Sequence, residues 1–170
     1  MNTEEIHQEL LKWKPAALGV FPCNELPQKI NAGEGLLVNS APSGTEGQHW
    51  LAIFRDNKDD VLEIFDTYGL PLDTYPLLKE TLLRMETNRN TLVRRNEGQL
   101  QSDQSDGCGL YCLLFLLLRI NNIATMDQII SDVFSSDLKL NDCIALYWLI
   151  EKFNTSSKSF VNVLSTKKCK

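Results

Sequence analysis

The 170-residue sequence predicts an α+β fold, a mixed or antiparallel sheet packed on helices, with a buried central helix that carries a cysteine at its N-terminus. Three observations predict it. The runs "HWLAIFR" (49–55) and "VLEIFDTY" (61–68) flank a short polar connector rich in turn formers and read as a hairpin. The stretch "LYCLLFLLL" (110–118) is apolar on every side of a helix and belongs inside the molecule. Helices and hairpin-connected strands follow one another without regular strand–helix–strand units, which points away from a doubly wound fold.

The first element is a helix from about Thr3 to Trp13, with Asn2 and Glu5 as a capping box, Ile6, Leu10 and Trp13 on one face, and Pro15 as its stop. A proline-containing loop, "VFPCNELPQKINAGEG", leads to a strand over Gly35 to Ala41, and the polar loop "PSGTEGQ" leads on to the hairpin. Tyr75 to Met85 reads as a helix, "NTLVRR" as a strand, and "NEGQLQSDQSDG" as a loop before the buried helix. The segments "TMDQIISDVFSS" and "LNDCIALYWLIEKF" carry helical apolar spacing, and the tail "KKCK" reads as frayed. Neither a linker nor a repeat interrupts the chain, so residues 1–170 read as one domain.

Composition excludes several classes. The longest apolar run has nine residues, against the roughly 20 that a membrane span needs. An acidic, amphipathic start is not a secretory signal, and five cysteines without paired spacing read as mostly free thiols in a reducing compartment. A net charge of −5 argues against a broad grip on nucleic acid; the basic clusters, Arg94 with Arg95 and Lys167, Lys168 and Lys170, are small.

The stretch "DGCGLYC" holds the chemistry. Capped by Asp106 or Ser105, the helix leaves Cys108 in its first turn, where unpaired backbone N–H groups and the helix dipole favour a thiolate. Cys112, one turn deeper, lacks that advantage, and both residues equally suit a core of small side chains. A nucleophilic cysteine needs a base, and the chain has two histidines. His7 sits beside the apolar stripe of the first helix and reads as a boundary residue. His49 opens the hairpin beside Trp50, where its ring reaches the rim of the sheet. With Asn57 and Lys58 at the centre of the turn, Asp66 lies directly across from His49, and cross-strand Cβ atoms about 5 Å apart let a carboxylate fix the imidazole tautomer. The same pair also suits a structural polar contact. An oxyanion site would combine the Cys108 N–H with a side-chain amide, for which Gln99, Gln101 and Gln104 are equal candidates by spacing.

In ordered motifs the sequence resembles the adenovirus maturation proteases, the adenain cysteine peptidases, which are distantly similar to SUMO-specific proteases. "GQHWLAIF" resembles their histidine motif, "FDTYG" their acidic motif, and "QSDQSDGCGLYC" their glutamine and nucleophile motif. The separations of 17 from His49 to Asp66 and 7 from Gln101 to Cys108 agree with that family and select Gln101. "ALGVF", "LLVNSAPSGTEG", "TMDQII" and "LYWLIEKF" extend the likeness over most of the chain. The resemblance implies Cys108 as nucleophile, His49 as general base, Asp66 as its orienting acid in place of the glutamate usual in mammalian adenoviruses, and Gln101 as oxyanion donor.

It further implies a monomeric cysteine endopeptidase that cleaves viral precursor proteins after small or glycine-containing sites that enter a narrow groove, in the virion and host nucleus; Trp50 suits one wall of that groove and a place in the core equally well. The chemistry would need no metal. An activating viral peptide and DNA are also implied, but Asn90 stands where the family has the cysteine that bonds the peptide, so that disulfide cannot form there. Cys23 and Cys169 are the alternative thiols. Two rival readings remain, a ubiquitin-like-protein isopeptidase of the same chemistry and a catalytically silent capsid or packaging protein.

Overall fold

The structure, a computed structural model, describes residues 3–12, 16–85 and 92–153. Five strands form one sheet in chain order, β1 (Ala17–Pro22), β2 (Gly35–Asn39), β3 (Trp50–Arg55), β4 (Val61–Asp66) and β5 (Leu92–Arg95). The sheet is mixed, as predicted: β2–β3 and β3–β4 are antiparallel, whereas the outer pairs β1–β2 and β4–β5 are parallel. The helices are α1 (Thr3–Leu11), α2 (Pro76–Arg84), α3 (Cys108–Ile120), α4 (Met126–Gln128, continued by a π turn over Ile129–Val133) and α5 (Leu138–Phe153). Asn2, Trp13 and Pro15 lie outside the described residues, as do Asn90 and Cys169.

Period-two alternation sorts the central strands onto two buried faces. Leu37, Ala52, Phe54 and Phe65 join α1, α3, α4 and α5 in one core, while Leu36, Val38, Leu51, Ile53, Leu62 and Ile64 pack with Leu78 and Leu82 of α2 in the other. Covered on both sides, β3 and β4 are buried at every position, which is why their sequences read as nearly continuous apolar runs. Helix α3 lies against the first face, buried from Gly109 through Arg119. Truncating one of its leucines to alanine would cost about 2–5 kcal/mol.

Strand β1 was absent from the sequence expectation, which gave Val20–Pro22 to the loop and assigned Ala17–Gly19 to no element. Its apolar run holds Gly19, at φ +129, and ends in Pro22, both weak strand formers; Gly19 sits at the register irregularity that begins the β1–β2 pairing. The hairpin register also differs from expectation. Asp66 pairs with Leu51, not with His49, because the turn is centred one residue later, between Lys58 and Asp59. Asp56 donates its N–H to Val61 O, its carboxylate accepts the N–H groups of Lys58 and Asp59, and Asp60 takes a left-handed conformation (φ 54) that closes the four-residue loop.

Of the described cysteines, Cys23, Cys108 and Cys112 are free thiols, while Cys143 on α5 is disulfide-bonded, an exception to the expected free thiols. No helix of the described residues is long and apolar enough to cross a membrane.

Candidate active site

Cys108 is the first residue of α3, a position whose backbone N–H has no acceptor within the helix. The cap differs from expectation. Neither Ser105 nor Asp106 occupies the N-cap; Gly107 does, and Ser105 Oγ accepts its N–H at 3.0 Å. Gly109 follows the cysteine for a packing reason: a Cβ there would lie 2.9 Å from Ile6 Cδ1 and 3.3 Å from Trp50 Cδ1. Trp50 belongs to the buried core, one of the two places the sequence allowed it, and its carbonyl accepts the Cys112 thiol at 3.2 Å.

His49 immediately precedes β3. Although the register places it diagonally from Asp66, a shift of two residues preserves the face on which a side chain points, and the imidazole bridges the gap. Its Nε2 lies 2.7 Å from Asp66 Oδ1, and the ring also hydrogen-bonds to the Cys108 side chain. Cys108, His49 and Asp66 therefore form one hydrogen-bonded chain where the first turn of α3 meets the end of β4.

Asp66 is held from four sides. Oδ1 accepts from His49 and from the Tyr68 N–H at 2.9 Å; Oδ2 accepts from the Leu70 N–H at 3.1 Å and the Tyr75 hydroxyl at 2.9 Å. Its backbone is clamped by Asn96, whose side chain accepts the Asp66 N–H at 2.8 Å and donates to the Asp66 carbonyl at 2.6 Å. The turn of "FDTYG" requires its glycine: Gly69 has φ +64, and a Cβ there would come within 2.4 Å of the Gly98 backbone. Two tyrosines flank the imidazole, Tyr68 at 5.0 Å between ring centroids and Tyr75 stacked at 6.3 Å. Tyr68, Tyr75 and Asn96 were missed in the sequence; the tyrosine inside "FDTYG" was the available signal for the first.

The electrostatics follow from these contacts. Burial alone would lower the His49 pKa, but hydrogen bonds to Asp66 and Cys108 overcome it and push it up to about 9. Burial opposes the Cys108 thiolate, yet the bond to His49 and backbone hydrogen bonds from Trp50 and Gly109 bring its pKa below the usual thiol value. Asp66 stays below the ordinary carboxylate value despite burial, through His49 and its other donors. Cys108 therefore ionises more readily than an ordinary thiol, and His49 holds its proton more tightly than a free imidazole. Cys112, fully buried, has its pKa raised by desolvation and is inert. Cys23 is likewise buried with its thiol pushed up, so it is a poor partner for the disulfide considered above.

Gln101, 1 % exposed, lies in the loop before α3. Thr67 Oγ1 donates to its Oε1 at 2.7 Å, and its Nε2 donates to Ser105 O at 2.8 Å. Gln99 bonds instead to Gln101 O and Asp103, and the Gln104 backbone leans on Ser102, so neither is held as Gln101 is. His7 sits on α1 with its ring near Gly19, away from this cluster. Beside His49 opens a cavity of about 450 Å³, walled by Ser40, Pro42, Leu70, Tyr75 and Leu77 among others. The described residues contain no cluster of three or more histidine, cysteine or acidic side chains arranged to hold a metal.

A thiol, an imidazole and a carboxylate joined in that order, at the start of a helix buried against a mixed sheet, define the class of fold and site found in cysteine peptidases. The adenovirus endoprotease family model matches residues 18–134. The chain belongs to the adenovirus endoprotease family. It is 33 % identical to the protease of Bovine adenovirus 4 over 110 residues, 58 % of this chain and 54 % of that protein. With the protease of Bovine adenovirus C serotype 10 it shares 31 % over 109 residues, 55 % of each chain. The chain thus spans about half the length of the curated relatives it matches. Among solved structures, the ASFV pS273R protease has the same fold, with a TM-score of 0.53 at 19 % identity over 85 % of this chain and 65 % of that one.

Proposed function

We propose that the chain is a cysteine endopeptidase that cleaves viral precursor proteins after small or glycine-containing sites during virion maturation. The observation that carries this reading is the hydrogen-bonded chain from Cys108 through His49 to Asp66. The Cys108 thiolate attacks the peptide carbonyl, and the tetrahedral oxyanion is met by the Cys108 N–H and the Gln101 amide. As the C–N bond breaks, His49 gives its proton to the leaving amine, and a thioester remains on Cys108. Water, deprotonated by His49, then hydrolyses the thioester and regenerates the thiolate. Asp66 holds the imidazole in the orientation both steps need. Membership of an adenovirus protease family supports the viral precursor as substrate and the virion as the place of action.

The test is mass spectrometry of a virion precursor digested by wild type and by Cys108→Ala, with and without viral peptides and DNA, alongside a ubiquitin-like protein with an extended C-terminus. Precursor fragments from wild type alone are expected. Equal cleavage by both proteins would sink the assignment, and cleavage of the ubiquitin-like protein only would replace it with the isopeptidase reading.

A further inference from the structure

We propose that Asp142, on α5, is a positioning residue for the oxyanion site: through Ser105 it fixes the segment that orients the Gln101 amide and leads into the Cys108 N–H. This rests on the reading of Gln101 and the Cys108 N–H as oxyanion donors. A glutamine amide stabilises an oxyanion only if Nε2, not Oε1, faces the reacting carbonyl, so something must set which end is which. Here two bonds do. The Thr67 hydroxyl donates to Oε1 and the Ser105 carbonyl accepts from Nε2, which leaves Nε2 one further N–H.

Thr67 is fully buried and its carbonyl accepts the N–H groups of both Leu100 and Gln101, so that side of the clamp is anchored to the sheet. The Ser105 side hangs on a loop, and its anchor is α5. Ser105 Oγ donates to Asp142 Oδ1 at 2.6 Å while accepting the Gly107 N–H at 3.0 Å. One turn into α3, the Tyr111 hydroxyl donates to the same oxygen at 2.9 Å. A single carboxylate oxygen thereby ties the loop bearing the Gln101 acceptor to the helix bearing Cys108, and an ionised acceptor makes such bonds short and strong. Space is tight around it: a Cβ on Gly107 would lie 3.1 Å from both Asp142 Oδ1 and Ser105 Oγ. The neighbouring Asn141 serves the same loop from further back, donating to Leu100 O at 2.8 Å.

Two reactions of Cys108 separate this role from general support of the fold. Alkylation by iodoacetamide needs the thiolate but no oxyanion. Reversible inhibition by a peptide aldehyde ending in glycine bonds sulfur to the aldehyde carbon and turns the carbonyl oxygen into an oxyanion in the site. Both are measured for the full chain in wild type, Gln101→Ala, Ser105→Ala, Asp142→Ala and Asp142→Asn. Expected are an aldehyde affinity reduced on the order of 100-fold in Gln101→Ala and about tenfold in Ser105→Ala and Asp142→Ala, with alkylation rates within about twofold of wild type. Asp142→Asn, which keeps an oxygen at the same place, should regain most of the loss. Weakened aldehyde binding in Gln101→Ala but not in Ser105→Ala or Asp142→Ala would overturn the role of Asp142 alone. Full affinity in Gln101→Ala would remove the oxyanion reading and this proposal with it. A parallel fall of alkylation and aldehyde binding would make Asp142 a structural residue only. If Asp142→Ala does not fold, Ser105→Ala decides, since it leaves Asp142 and Tyr111 paired.

Discussion

The two ends of α3 meet the same pair of strands with opposite arrangements of charge. At the C-terminal end one cation is shared by two carboxylates: Arg119 donates from Nε to Glu63 at 2.7 Å and pairs through Nη2 with Asp56, while its guanidinium lies 4.8 Å over the Phe54 ring. At the N-terminal end one carboxylate, Asp66, is shared by four donors, and the thiol at the end of the chain titrates. Arg119 carries a permanent charge and is saturated, so that end can only hold. The Cys108 end holds two titratable groups that shift one another, the His49 pKa upward and the Cys108 pKa downward. A buried polar cluster becomes reactive when its last member is left with a lone pair and access to solvent.

The largest effect expected is at the proposed base. His49→Ala should reduce peptide hydrolysis by roughly 10⁴-fold, and it should also slow iodoacetamide alkylation of Cys108 at pH 7, because the hydrogen bond that lowers the thiol pKa is gone while the burial that raises it remains. Melting temperatures close to wild type would show the fold intact. Alkylation at an undiminished rate would mean that the helix N-terminus alone generates the thiolate.

Next in size is Asp66→Asn, expected to lower kcat/KM by about 10²–10⁴-fold through loss of imidazole orientation. Its pH profile is more informative. In wild type, activity should rise as Cys108 ionises below the usual thiol range and fall as pH passes through about 9, where His49 loses its proton. Since Asp66 is the leading cause holding His49 up, the variant's alkaline limb should move to lower pH. The same sign governs stability: a His49 pKa raised on folding contributes stability fully present below about 6.5 and lost as pH rises toward 9. An alkaline limb unmoved in Asp66→Asn would assign that limb to another group.

Breaking the other end should separate stability from activity. Arg119→Met leaves Glu63, 2 % exposed, without its cation, a change worth about 3–5 kcal/mol of stability. Denaturant unfolding should show that loss, and kcat/KM below the melting transition should stay within about threefold of wild type. Adding Glu63→Gln should restore part of the stability. A fall in kcat/KM matching that of Asp66→Asn would mean that the two ends of α3 are coupled.

How much of this was legible depended on parity and range. The two-residue period fixed the faces of β3 and β4, so the His49 and Asp66 side chains still meet even though the turn Asp56–Asp60 set the register two residues away from the one expected. A slip of one residue would have separated them. The buried helix, its cysteine and the mixed sheet were visible as local pattern. Strand β1 was not, because Gly19 and Pro22 erase a strand signal that only pairing with β2 restores. Asn96 and Asp142 were invisible for a different reason: each acts across 30 or more residues, on Asp66 and Ser105 respectively, through a single side chain with no periodic partner.

The smallest predicted effect tests whether the four donors on Asp66 matter individually. Tyr75→Phe keeps a ring able to stack on His49 and removes one O–H bond to Oδ2, which also accepts the Leu70 N–H. A hydrogen bond to a charged group contributes about 1.5–3 kcal/mol, but the carboxylate retains three donors, so the expected loss in kcat/KM is about threefold to tenfold. Its direction on the base is definite. With one donor fewer, the Asp66 charge is less dispersed and binds the imidazolium more tightly, so the alkaline limb should move upward, opposite to Asp66→Asn. Opposite movements in the two variants would show that Asp66 acts on His49 through its charge, whereas a downward shift in Tyr75→Phe would show that the hydroxyl mainly holds the carboxylate in place.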